Sequence, residues 1–428
     1  MPFHTGRVTF CRFRVEGDAP AAVDETTLGI LAEFSFRERE VGAPDEIEAG
    51  WITGEHLLDT QFSYEKNGYG DDGSLLLFAL RIDSHRVPSA IKNAYKRMNE
   101  AALAAENPSG IVSRAQRREA AETANRQIHE ELAVGKHRRS KSVPLIWDLA
   151  RRELYCSVPS GKVIELLASQ FYQSFNCKLS LLSAGALAGE WLRASGKGRD
   201  YEDFHPSEFT PAPAEAVIDL ENADGPRDLK FPQVPWSHTS TDLKDFLGNE
   251  FLIWLWWKLE NSEGLIELPA HEKRVRSELA VMIDKSLDMD CAWNVLGRQT
   301  LRATGPTKLI EAGDALLTGK WPRKAGLMVA DTGGEGLQWE LSLQADKWII
   351  SGATMPENPD ATTLREIIEH RLVLIRRLAE TMDGLFGVFI KSRVSSTWPG
   401  QKKQIRDWIR VRRPSSVRRE ELAAAGPS

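Results

Sequence analysis

Apolar and polar positions alternate in RVTFCRFRV (Arg7 to Val15), which predicts a strand. Residues 24–38 follow a helical spacing, and QFSYEK and LLLFALRID (Leu75 to Asp83) read as a hairpin around the turn NGYGDDG. Pro88 opens a long helix, PSAIKNAYKRMNEAALAAEN, because a proline in the first turn gives up no helical hydrogen bond; NPSG (Asn107 to Gly110) stops it. A second long helix, rich in Arg, Ala and Glu, is predicted from about Ser113 to Leu132. SVPLIWDLARRELYCSV (Ser142 to Val158) reads as two strands turning near Arg151 and Arg152. Ser160 to Phe175 reads as an amphipathic helix, and CKLSLLS as another strand.

From about Gly196 to Thr239 the texture changes. Pro206, Pro211, Pro213, Pro226, Pro232 and Pro235 lie among acidic and small residues, which predicts a linker or irregular insertion over 183–240. STDLKD then starts a helix, with Ser240 or Thr241 as its N-cap. Strands return in KAGLMVAD, LQWELSLQ and WIISGAT, and a long helix from Thr362 to Lys391 precedes a basic tail, 391–428. Strands paired through hairpins and helices grouped in blocks predict an α+β fold with largely antiparallel sheets. The expected organisation is an N-terminal domain, 1–182, with a basic helical arm at 88–141, and a C-terminal domain, 241–390.

The run FLIWLWWKLE (Phe251 to Glu260) is apolar on every side of a helix, which is the pattern of a buried helix. Two placements are open: a core helix, or a face on which Phe251, Trp254 and Trp257 close a dimer interface. Its seven apolar residues span roughly 10 Å, against the ~20 residues of a membrane-crossing helix. The N-terminal MPFHTGRVTFCRF also lacks the apolar stretch of a signal peptide, so a cytoplasmic protein without a membrane partner is expected. Cys11, Cys156, Cys177 and Cys291 stand far apart with no CxxC pair, as reduced thiols do.

A net charge of −6 does not by itself indicate a nucleic-acid partner; its distribution does. Arg114, Arg117, Arg118, Arg126, Lys136, Arg138, Arg139 and Lys141 fall within 112–141, and Lys92, Lys96 and Arg97 precede them. A second basic zone includes Lys402, Lys403, Arg406, Arg410, Arg412 and Arg413. An otherwise acidic chain with two basic zones is the asymmetry expected where one surface meets a polyanion. Aromatics are not interleaved with these cations and no recognition helix is discernible, so sequence-independent contact with duplex DNA is the expectation.

Candidate catalytic motifs are weak. GYGDDG fits G-x-G-x-x-G by letter, but a strand follows it rather than a helix. GDALLTGKW (Gly313 to Trp321) has one residue too many for a P-loop and Trp321 where a hydroxyl must hold Mg²⁺; a helix ended by Gly319 is expected instead. EIIEH (Glu366 to His370) lacks the second histidine of a zinc helix. Asp228 with Lys230, and Asp242 with Lys244, each supply half of a nuclease pattern. No catalytic residue, metal or cofactor is therefore expected. A metal-dependent nuclease or other DNA-processing enzyme is the first alternative, and a protein-interaction factor whose basic tail binds an acidic protein is the second.

Taken in order, GWI (Gly50 to Ile52), LLLFALRID leading into VPSAIKNAYKR, VSRAQRREAAETANRQIHEEL, HRRSKSVPLIWDLARRELYCSVPSGKVIELLASQF and LLTGKWPRKAGLMVAD resemble the RdgC family of recombination-associated DNA-binding proteins. The segment from about Gly196 to Thr304 and the tail beyond Lys391 depart from the shorter members of that family. The resemblance implies a ring-shaped homodimer that encircles double-stranded DNA, associates with the nucleoid and restrains RecA-type strand exchange. It places Lys92 on the family's basic helix, and the Arg114–Arg126 and Lys136–Lys141 groups on its basic arm.

Overall fold

The computed structural model describes residues 3–38, 47–70, 73–108, 110–210, 212–213, 231–262, 264–269, 277–295, 297–332, 336–357 and 361–412. They form two units: Val15–Cys156 with Ser160–Leu179, and the rest of the described residues. The fold is α+β, and its sheet is largely antiparallel.

The elements up to residue 181 are β1 (Val8–Glu16), α1 (Glu25–Glu33), β2 (Ile47–Ile52), α2 (Tyr64–Asn67), β3 (Gly68–Tyr69), β4 (Leu75–His85), α3 (Ser89–Glu106), α4 (Arg114–Ala133), β5 (Arg138–Asp148), β6 (Glu153–Cys156), α5 (Gly161–Phe175) and β7 (Lys178–Leu181). In the first unit the strands run in the order β6-β5-β4-β2, with β3 also on β4. One sheet face packs on α5, where Trp147 meets Phe171 and Phe175 edge-on at 4.8 and 4.9 Å. Trp51 meets Phe78 at 5.2 Å and donates its indole N–H to the Ser174 hydroxyl.

Two expectations change here. QFSYEK is not a strand: the Ser63 hydroxyl accepts from Lys66 N–H and starts α2, while Asn67 Nδ2 donates to the Thr53 and Leu77 carbonyls. Only Gly68–Tyr69 pairs with β4. The arm is not helical throughout either, because Arg138, Arg139 and Lys141 stand on β5, laddered onto β4.

The second unit continues with α6 (Ala184–Ala194), α7 (Gly198–Glu202), α8 (Phe246–Asn261), β8 (Leu265–Leu268), β9 (Ser277–Cys291), β10 (Gln299–Leu301), α9 (Ile310–Leu317), β11 (Lys320–Asp331), β12 (Gln338–Gln344), β13 (Ile349–Ala353), α10 (Leu364–Arg393) and α11 (Trp398–Val411). Its sheet order is β10-β9-β11-β12-β13-β1, with β8 also on β9. The segment 183–240 is not a plain linker. It supplies α6 and α7, and it buries Tyr201, Phe204, Phe209 and Trp236, which irregular chain could not leave in water without losing their hydrophobic gain. Pro211 and Pro226 lie outside the described residues.

The Trp-rich helix starts at Phe246, later than Ser240 or Thr241 would cap it: Ser240 Oγ donates to the Asp245 carboxylate, and residues 242–245 close a separate turn in which Asp245 N–H meets the Asp242 carbonyl. Close approach explains Gly248: a Cβ there would lie 2.0 Å from the Ala345 carbonyl oxygen. Phe251 and Trp254 are corrected from interface to core. Phe251 packs on Trp348, Phe386 and Phe389 at 5.6 to 6.0 Å, and Trp254 on Phe389 at 5.7 Å. Trp257 is half-buried. The basic tail is likewise a helix as far as it is described, with Trp398, Ile405 and Ile409 of α11 buried. No helix among the described residues is long and apolar enough to cross a membrane.

Phe251→Ala should cost about 3–5 kcal/mol, the usual loss for a large buried aromatic. Urea unfolding checks this. A core position gives the same loss across a wide range of protein concentration, whereas a loss that grows on dilution would return Phe251 to an interface.

Candidate nucleic-acid interface

The β4–β5 ladder keeps register from Leu75↔Asp148 to His85↔Arg138. Its inner part is apolar and buried, and at the far end residues 138–141 of β5 are exposed while the facing Ile82, Asp83 and His85 of β4 stay buried. The connection between the two strands folds as the helical hairpin α3–α4.

A mainly polar seam joins the two helices. Tyr95 Oη donates to Glu131 Oε1 at 2.7 Å, Asn99 Nδ2 to Gln127 Oε1 at 3.2 Å, and the Asn107 and Gln116 amides bond reciprocally at 2.9 and 3.1 Å. Ala120, Ala124 and Ile128, four residues apart, supply the buried stripe of α4, while α3 buries none of its residues fully. Ser113 and Gln116 form a capping box at the start of α4. These seam residues were not identified from the sequence; the four-residue spacing of Tyr95, Asn99 and Leu103 was the available signal.

All eleven cations expected on the arm are exposed. Several are paired: Lys96 with Glu100 at 3.9 Å, Arg118 with Glu122 at 3.0 Å, Lys136 with Glu131 at 2.8 Å and Arg138 with Glu38 at 2.7 Å. Among the described residues Arg126 donates only to the Thr123 hydroxyl. Lys92, Arg97, Arg114, Arg117, Arg139 and Lys141 have no carboxylate partner among the described residues. Exposed pairs such as Arg118–Glu122 contribute under about 1 kcal/mol, so a phosphate can displace the carboxylate at little cost.

Arg138 is held more firmly. Arg81 is buried and makes a bidentate pair with Asp83 at 2.9 and 2.7 Å, with its guanidinium 4.0 Å over the Phe36 ring. Arg138 stands 3.8 Å from the same Asp83 carboxylate. Burial alone would raise the Asp83 carboxyl, but hydrogen bonds from Arg81 and Ser140 and the charges of Arg81 and Arg138 hold it below its ordinary value.

The second basic zone is partly spent on structure. Arg412 lies over Trp256 and Trp408 at 4.7 and 4.4 Å and pairs with Glu260, so it is corrected from a surface contact to a packing cation. Arg406 is half-buried, 3.9 Å from Glu208. Lys403 and Arg410 are exposed, the latter 3.9 Å from Asp407, and Lys402 is half-buried. Arg413 lies outside the described residues, as do Asp228 and Lys230.

The motifs of enzymatic appearance have structural work. Gly319 follows α9 at φ +77°, as a C′ glycine does. Glu366 closes a capping box with Thr363. Burial pushes the Asp245 carboxyl up to about 6, against hydrogen bonds from Ser183, Ser240 and Gly185 N–H. Neighbouring Asp242 accepts from Tyr201 Oη at 2.6 Å. These contacts tie the start of α6 to the turn before α8. No three His, Cys, Asp or Glu side chains among the described residues gather as a metal site. The chain matches no protein-family model and no curated protein sequence.

Glu131 offers a pH test of the arm. Hydrogen bonds from Lys136, His137 and Tyr95 lower its carboxyl from 4.5 to about 2. A depressed carboxylate stabilises the fold above its unfolded value and loses that contribution as pH falls through the folded one. Hydrogen-exchange protection of α3 and α4 should therefore fall between pH 4.5 and 2. Glu131→Gln should show weaker protection at neutral pH and lack this acid-linked loss; an unchanged profile would sink the assignment.

Proposed function

We propose that the chain is a non-catalytic protein that binds duplex DNA through its phosphates, without regard to sequence, in recombination and replication. The observation that carries the reading is the arm: a helical hairpin and strand end with every expected cation exposed and six of them without a carboxylate partner among the described residues. The resemblance to the RdgC family supports the further reading of a homodimeric ring around DNA in the nucleoid that restrains a RecA-type recombinase. Encirclement requires no base contacts. It requires cations along an inner surface that neutralise phosphates and release counterions.

A gel-shift titration with random-sequence duplex at about 50 and 200 mM salt, with Mg²⁺ present, tests this. Tight binding that weakens steeply with salt and leaves the DNA intact is expected. Reversing Arg114 and Arg117 should flatten the slope of log affinity against log salt by about 0.9 per lost phosphate contact. Absence of a shift at low salt would reduce the arm to a solvated face, and Mg²⁺-dependent loss of DNA would replace a binding protein with a nuclease.

A further inference from the structure

A cleft of about 480 Å³ opens where β4 gives way to α3, lined in part by Ser84, Arg86, Ser89, Lys92 and Arg139. Its three cations come from three places: Arg86 from the connecting loop, Lys92 from α3 and Arg139 from β5. The lining contains no acidic side chain, and none of the three has a carboxylate partner among the described residues. The described carboxylates around this end of the ladder are engaged elsewhere. Glu48 lies 3.3 Å from His85, and Asp83 and Glu38 serve Arg81 and Arg138. Strand alternation explains why Arg139 is left over: Arg138 points to the face of Arg81 and Asp83, and its neighbour to the opposite face, with Ser84.

Three uncompensated cations around a concave recess focus positive potential into it. We infer that this cleft is a binding site for a phosphate monoester. A diester carries one negative charge, whereas a monoester approaches two near neutral pH and so matches the recess better. Arg86 and Arg139 supply forks that suit phosphate oxygens, Lys92 a point charge, and Ser89 a neutral donor. A cleft of this volume accommodates the phosphate and the sugar that carries it. A free nucleotide and the 5′-phosphate of a DNA strand end present the same group. The inference concerns the recess and does not depend on duplex binding along the arm.

The test is calorimetric titration of the full chain with 5′-AMP, 3′,5′-cyclic AMP and adenosine. The expected result is binding of 5′-AMP that inorganic phosphate competes away, about tenfold weaker binding of the cyclic diester, and none of adenosine. Arg86→Gln and Lys92→Gln should each weaken 5′-AMP about tenfold, the loss of one charge-assisted contact, while Arg117→Gln on the arm leaves it unchanged. All three side chains are exposed, and circular dichroism verifies that the variants fold. Duplexes with 5′-phosphate or 5′-hydroxyl ends identify the source: a preference for phosphorylated ends assigns the cleft to strand ends, and 5′-AMP binding without that preference assigns it to free nucleotides. Equal affinity for 5′-AMP and its cyclic diester, equal sensitivity to Arg117→Gln, or no 5′-AMP binding at millimolar concentration overturns the proposal. Binding of 5′-AMP without duplex binding would remove the proposed function and leave this site; the reverse result would do the opposite.

Discussion

The antiparallel ladder between β4 and β5 is the constraint on which the first unit and its basic surface depend. Its backbone hydrogen bonds hold one register from the aromatic core to His85 and Arg138. Within the core, Trp51, Phe78 and Trp147 are buried against α5; beyond it, β4 stays covered at Ile82, Asp83 and His85 while the end of β5 presents Arg139 and Lys141 to solvent. A one-residue slip would exchange the two faces, bringing Arg139 to the side of the buried Arg81–Asp83 pair. The apolar half of the ladder therefore fixes where the charged half points.

Arginines in this protein have two fates, decided by what surrounds them. In the second unit, Arg393 lies over Phe204 and Trp398 at 4.7 and 5.0 Å and pairs with Glu250 at 3.0 Å, while Arg412 lies over two tryptophans. There the planar guanidinium covers aromatic faces as it satisfies a carboxylate, a role lysine cannot fill equally. On the arm no ring lies beneath the cations among the described residues, and six of the cations have no carboxylate partner there. Such charges keep their hydration and remain available to an external anion.

The arm accepts a cost for that availability. Its seam is built from Tyr95, Asn99, Asn107, Gln116, Gln127 and Glu131 around a narrow alanine-rich stripe, and α3 has no fully buried residue. Polar contacts of this kind are directional and fix the pairing of the helices, but each contributes only about 1 kcal/mol net. The result is a charged element whose geometry is specified more by hydrogen bonds than by burial.

Much of this was legible in the sequence. Pro88, Ser113 and the Asn107–Gly110 break delimit the arm helices because caps and breakers act locally, and the unbroken apolar run that opens LLLFALRID, bounded by a Gly/Asp turn, marks a buried strand. The all-round apolar pattern of FLIWLWW predicted burial but left open what would cover it; Phe386, Phe389 and Trp348, distant in sequence, decided for the core. Charge counting located the basic zones, yet whether a cation is free depends on partners brought close only by folding, as Glu260 is to Arg412 and Glu38 to Arg138. The sequence by itself thus determined most of the helices and strands, QFSYEK and 183–240 excepted, and which segments are cation-rich, because those properties are set largely by near neighbours. Tertiary structure alone decided which aromatics face each other and which charges remain unpaired, because both are properties of long-range contacts.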